Sequence, residues 1–275
     1  MPAEPHDVPE DYPVRISWPG ILVDDAGHPE DIERRVQEVI QVIWKDTADD
    51  IEHEAGDILG VKSLREYFRK PALFFADHLK RYSKSRRQAP MYWPLSTRSG
   101  NYTLWLYYHR LTDQTLYTCV NDFVEPKLRQ TTESINLLRG KGQARTKVED
   151  KELEQLLDLD LELQEFRDEL LRLAQLPWKP NLNDGVQITA APLWKLFRLP
   201  KWQKTLKETW EKLERGDYDW AHLAYTLWPN RVREKCKTDK SLAIAHDLEA
   251  LYVEPPASAK KKRARKPIEE GMEDE

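Results

Sequence analysis

The stretch "APMYWPLSTRSGNYTLWLYYHRL", Ala89 to Leu111, decides how this sequence folds. Two runs rich in aromatic and branched residues flank "TRSGN", where Ser99 and Gly100 have the chemistry of a tight turn, so the segment predicts a β-hairpin. Side chains alternate along a strand. On the second strand Tyr102, Leu104, Leu106 and Tyr108 therefore share one face, and Thr103, Trp105, Tyr107 and His109 share the other. Both faces carry aromatics, so both are expected to be covered. A two-stranded hairpin is marginal by itself in water, and the covering elements must come from the chain before and after it.

Those elements read as helices. Residues 1–27 are an extended arm with a strand-like piece, "PVRISWPGILVDD". Pro29 suits the first turn of a helix, and Glu30 and Asp31 suit its positive end. Ile32, Val36, Val39, Ile40, Ile43 and Trp44 then recur at helical spacing, predicting one long amphipathic helix to about residue 55. "SLRE" at 63–66 matches a capping box, and Pro71 restarts a helix through "ALFFADHLKRY". Beyond the hairpin, Val124, Leu128, Thr131, Ile135 and Leu138 form a stripe that "GKG" at 140–142 interrupts. Leu156, Leu159, Leu163, Phe166, Leu170 and Leu173 form a second stripe, up to Pro177. The two stripes are read as partners in an antiparallel helical hairpin. Ten Asp/Glu between 149 and 169 would repel DNA, which assigns this coiled-coil arm to packing or spacing.

After the turn residues Asn183, Asp184 and Gly185, helices are expected at about 201–215, 218–227, 229–236 and 240–251, with Trp202, Leu206, Trp210 and Leu213 on one face. The chain closes on "VEPPASAKKKRARKPIEEGMEDE", read as a disordered charged tail whose basic part has the composition of a nuclear-import signal or a nonspecific nucleic-acid tether. The expected fold class is mainly α with a small β-hairpin, an antiparallel helical-hairpin arm and a helical C-terminal cap. Its divisions fall at 1–112 for the arm, helices and aromatic hairpin, 113–177 for the helical-hairpin arm, 178–252 for the tryptophan-rich cap, and 253–275 for the tail.

Composition narrows the function classes. With 275 residues and 40% hydrophobic content the chain can bury a core, while 33% charged residues and scarce glycine favour helices with long solvated faces. The acidic, proline-rich start lacks a signal peptide's apolar run and no stretch approaches 18 apolar residues, so the reading is a cytoplasmic protein without a membrane partner. Cys119 and Cys236 stand far apart outside any CxxC, which gives no support to a disulfide framework or a zinc site. The seven histidines lack ligand spacing, and His109, His222 and His246 read as packing or hydrogen-bonding residues. A glycine-rich phosphate loop is missing, as is a polar-Pro-Pro-aromatic loop for a flipped base: the one GxG is "GKG", and the one Pro-Pro lies in the tail. No catalytic, cofactor or metal residues are assigned.

Binding remains. Formal net charge is -5, so any nucleic-acid face must be local. Lys80, Arg81, Lys84, Arg86 and Arg87 put five cations in eight residues at a helix end, with Arg98 in the hairpin turn as a sixth. Two readings stand: a phosphate-contacting surface, or a hydrated basic helix end favoured by the helix dipole. Tyr92 and Trp93 beside the run read as core before stacking platform.

The strings "RYSKSRRQAPMYWPLSTRSGNYTLWLYYHRLTDQTLY", "NDFVEPKL", "WKPNLNDGVQITAAPLW", "GDYDWAHLA" and "WPNRVREKCKTDKSLAIAH", in that order, resemble the C-terminal part of large bacterial adenine-specific DNA methyltransferases. These are of the phage-exclusion (BREX) type and related single-chain restriction-modification enzymes. The resemblance runs from about Pro13 to Tyr252. It implies a place in an adenine-methylating defence system, with double-stranded DNA and a methyltransferase catalytic subunit as partners. It also implies that S-adenosylmethionine belongs to that catalytic partner, because the family's cofactor and base-holding motifs have no counterpart in this chain. A scaffold that docks such a subunit without touching DNA is the alternative it leaves open.

Overall fold

A computed structural model describes residues 20–84 and 87–254, with the backbone alone at Arg87. The short strands are β1 (Ile21–Val23), β2 (Ser83–Lys84), β3 (Arg87–Gln88), β4 (Tyr92–Ser96) and β5 (Thr103–Tyr107). The predicted hairpin forms: β4 and β5 pair antiparallel with Tyr92 opposite Tyr107 and Ser96 opposite Thr103, whose hydroxyls lie 2.9 Å apart. Gly100 has φ +79°, and its N–H donates to the Thr97 carbonyl at 3.0 Å, closing the turn. A third strand joins, since β1 pairs with the free edge of β5, Ile21 opposite Leu106 and Val23 opposite Leu104. The strand-like piece before the first helix thus completes a sheet of order β1-β5-β4. Trp93, Leu95, Leu104, Trp105 and Leu106 are sealed from solvent. Both faces are dry, as the aromatic alternation requires.

Helices supply the cover, and the chain is mainly α. In α1 (Ile32–Trp44) the Asp31 side chain caps the first turn by accepting from the Arg34 N–H at 3.2 Å. The single helix expected to residue 55 is instead two. Lys45 takes φ +49°, a 3₁₀ turn covers Lys45–Thr47, and α2 (Ala48–Leu59) folds back so that the Gln37 amide reaches the Glu52 carboxylate at 3.0 Å. Local polar groups favour the break: the Thr47 hydroxyl donates to the Trp44 carbonyl at 2.9 Å and the Gln41 amide to that of Lys45 at 3.2 Å. In α3 (Leu64–Arg69) Ser63 caps as expected, but Glu66 accepts from the Lys62 N–H rather than from Ser63. Next, α4 (Phe74–Arg81) starts three residues beyond Pro71.

Beyond the sheet, α5 (Thr115–Thr118) runs through a π-helical segment, Cys119–Val124, into α6 (Glu125–Gly140). Pro126 has no N–H to close an α turn onto Asp122, which suits the wider turn there. After the "GKG" break comes α7 (Lys147–Ala174), 28 residues or about 42 Å. The two helices run antiparallel: Glu125 meets Arg167 at 3.5 Å, Thr132 meets Asp160 at 3.2 Å, and Lys141 pairs with Glu149. Leu128, Thr131, Ile135 and Leu138 are buried, as are Leu163, Phe166, Leu170 and Leu173.

The remaining chain forms α8 (Val186–Ala190), a 3₁₀ stretch Ala191–Leu196, α9 (Pro200–Arg215), α10 (His222–Leu227), α11 (Pro229–Cys236) and α12 (Lys240–Ala245). Helix α10 starts later than residue 218 because Tyr218–Ala221 is a turn around the buried Asp219, which takes Arg231 Nη2 at 2.6 Å. Helix α12 stops at Ala245, before Asp247 at φ +55°. Trp202, Leu206 and Leu213 line the buried face of α9, with Trp210 partly covered. One hydrophobic core runs from Ile21 to Ala224, and both cysteines are buried and free. His222 Nδ1 lies 3.0 Å from Asp184, and His246 Nε2 lies 2.6 Å from the Asp219 carbonyl. Among the described residues no cluster could hold a metal ion, and no helix is long and apolar enough to cross a membrane.

Two polar centres fix the N-terminal half. Asp24, fully buried at the end of β1, takes Arg65 at 2.6 Å and Arg69 at 2.6 Å, while Arg65 also binds Asp31 at 2.6 Å and Glu33 at 2.8 Å. The second is His78 in α4, whose Nε2 accepts the N–H groups of both Met91 and Tyr92 at 3.0 Å. Accepting those bonds needs the neutral ring. Burial, aided by Arg81, pulls its pKa from 6.5 to about 4.

Arg65→Ala strips the main partner from two buried carboxylates, and equilibrium urea unfolding is expected to show a loss of about 3–5 kcal/mol. A loss below about 1 kcal/mol would mean that water solvates Asp24 and Asp31 well enough without it. For His78, the unfolded chain takes up a proton near pH 6.5 while the folded one resists until about 4. Its stabilisation is therefore complete above pH 6.5 and is lost as pH falls toward 4. Between pH 7.5 and 4.5, wild type should lose about 2 kcal/mol more than His78→Gln; equal losses would show that the ring is not held neutral.

Candidate nucleic-acid interface

The basic run is built on the end of α4. Lys80 and Arg81 occupy its last turn, where cations complement the helix dipole, and both are exposed. The chain then reverses in a two-stranded ribbon, with Ser83 opposite Gln88 and Lys84 opposite Arg87. Arg86 lies outside the described residues, as does Ser85. The ribbon's base is closed by the Ala89 N–H, which donates to the Tyr82 carbonyl at 3.1 Å, and by the Ser83 hydroxyl, which donates to the Leu79 carbonyl. His78 holds the returning strand at Met91 and Tyr92, and its ring lies 4.7 Å from that of Tyr82. The ribbon is small, and these contacts tie its base to α4.

Lys80, Arg81 and Lys84 make no ion pair among the described residues. The ladder sets the Lys84 backbone opposite that of Arg87. The hydrated-helix-end reading accounts for Lys80 and Arg81, but it gives no reason for the cations of the ribbon.

Arg98 is not brought to the same place. It sits in the β4–β5 turn, with β4, about 17 Å long, between it and the ribbon. There it is 72% exposed and lies 3.8 Å from Glu162. Trp93 is core, completely buried with its Nε1–H donated to the Pro90 carbonyl at 2.9 Å. Tyr92 is half-buried, with its ring 5.1 Å from that of Tyr107. Neither ring is a free stacking platform. Sequence reasoning missed His78, whose role depends on two backbone N–H groups 13 and 14 residues away; no local spacing signals such a contact. The basic tail, like the arm before Gly20, lies outside the described residues.

No protein-family model matches the chain. Over 186 residues, 61% of the chain, it is 25% identical to the adenine-specific methyltransferase BrxX of Escherichia coli O9:H4 (strain HS). The aligned stretch spans 15% of that protein's length. The chain is therefore similar to a small part of an adenine-specific methyltransferase.

Proposed function

We propose that this chain is a noncatalytic, DNA-engaging module of an adenine-specific (N6) DNA methyltransferase in a restriction-modification or phage-defence system. The observation that carries the reading is the ribbon itself. Lys80, Arg81 and Lys84 stand on a segment anchored by α4 and His78, and they make no ion pair among the described residues. Contacts of this kind to phosphate position a protein on a duplex without reading bases. The similarity to BrxX supplies the context, and S-adenosylmethionine belongs to a catalytic partner in this reading.

One observation favours a second role, a scaffold docking a separate methyltransferase subunit. At the C-terminal end of α1, Val42, Ile43 and Trp44 are exposed, an apolar surface of the kind that meets other proteins.

The test is duplex binding by the whole chain from about 50 to about 200 mM salt, beside a variant with Lys80, Arg81, Lys84, Arg86 and Arg87 changed to alanine. Wild type should lose roughly a hundred-fold or more in affinity across that range, and the variant should bind far more weakly, with a log–log slope flatter by about 4. Equal binding by both proteins would remove the ribbon from the interface. No binding by either would favour the scaffold.

A further inference from the structure

The site predicted from sequence left Arg98 stranded at the far end of β4, but it is not alone there. Arg98, Lys195 and Arg198 line one cleft of about 470 Å³ with Glu162, Glu165 and Gln203. The Arg198 guanidinium lies against Gly100 in the hairpin turn, so close that a Cβ on that glycine would stand 1.5 Å from Nη1. Arg198 is half-buried and makes neither a hydrogen bond nor an ion pair among the described residues, although the Glu162 carboxylate in the same cleft attracts it. A partly desolvated guanidinium normally finds a partner.

The cations continue along α9. Lys201, Lys204 and Lys207 follow at intervals of three, on the side away from the buried Trp202, Leu206 and Leu213. Lys201 and Lys207 have no ion pair among the described residues, and Lys204 has only Glu208 at 4.0 Å. Lys195 and Lys207 lie 6.0 and 5.4 Å from the Trp194 ring centroid, within reach of its π face. The first turn of α9 contains no acid, and Lys201 there opposes the helix dipole. Of the nearby acids, Glu162 accepts from the Ser99 N–H at 3.1 Å and its hydroxyl at 2.5 Å and lies 3.8 Å from Arg98, Glu169 binds Arg172 at 2.7 Å and lies 3.8 Å from Lys195, and Glu165 lines the cleft.

We infer that Arg98, Lys195, Arg198, Lys201, Lys204 and Lys207 form a second phosphate-contacting surface, which follows the backbone of duplex DNA. The inference rests on the DNA-engaging reading above and adds a second contact to it. A row of cations fits a polyanion better than a single small anion. Lys201 to Lys207 spans about 9 Å of helix axis, and about 9 Å of duplex carries about five phosphate charges.

Whole-chain proteins with matched unfolding curves test it by duplex binding from about 50 to about 200 mM salt. They are wild type, the five-alanine ribbon variant, the ridge variant Lys201→Gln/Lys204→Gln/Lys207→Gln, and the control Arg139→Gln/Lys147→Gln/Lys151→Gln, which removes equal charge around the α6–α7 connection. Glutamine preserves helix propensity at all three ridge positions. The ridge variant should flatten the log–log salt slope by about 3 and the control should leave it unchanged. Arg98→Gln/Lys195→Gln, on the other wall of the cleft, should flatten it by about 2. If only the ribbon variant weakens binding, the second surface is wrong and the DNA reading stands. If ridge and control variants change alike, the effect is net charge and the surface is again wrong. If wild type binds no DNA, both readings fall together.

Discussion

Because β5 carries large side chains on both faces, it cannot sit at a surface, and the rest of the molecule is arranged to keep water from it. Trp93 and Leu95 on β4 and Ile21 and Val23 on β1 flank it within the sheet, while Phe74 and Phe75 of α4 place their rings 5.2 and 6.4 Å from Trp105. Phe197, just before α9, meets Trp93 at 6.3 Å and Phe75 at 6.1 Å. A small sheet covered on both sides by helices that arrive from both ends of the chain gives one continuous core, and burial of these aromatics is its main driving force.

Buried carboxylates then fix how the peripheral elements attach. Asp24 and Asp31 bind Arg65 and Arg69 and hold α1 and α3 to the edge of the sheet. Asp184 accepts the N–H groups of His222 and Leu223, both at 2.8 Å, and so caps α10 from a distance of 38 residues in sequence. Asp219 draws in Arg231, which also donates to the carbonyls of Leu213 and Glu214 at the end of α9. Such pairs add modest net stability, but leaving either partner alone is costly, so they select one docking geometry.

The functional reading follows from what this frame leaves outside. The charges that organise the core are paired, whereas Lys80, Arg81, Lys84, Arg198, Lys201 and Lys207 make no ion pair among the described residues. They collect at the two ends of β4, on the ribbon after α4 and around the hairpin turn and α9. The acidic α6–α7 pair, by contrast, spends much of its charge on ion pairs such as Lys141–Glu149 and Arg145–Asp150. A net charge of -5 and local basic surfaces are thus compatible, since the two signs occupy different elements.

Local chemistry written in the sequence determined the hairpin and its turn, the two dry faces of β5, the stripes of α6 and α7, the buried face of α9 and the basic run itself. Each depends on a period of two or of about 3.6, or on a turn residue, and such signals are complete within a few residues. Tertiary structure alone decided that β1 completes the sheet, that Arg98 belongs with Arg198 and α9 rather than with the ribbon, and that His78 anchors the basic segment. It also decided the break at Lys45, where a helical apolar pattern continues but the side chains of Gln41 and Thr47 take up the local carbonyls. Those outcomes depend on partners distant in sequence or on competition between a helix and its own polar side chains, and periodicity carries no record of either.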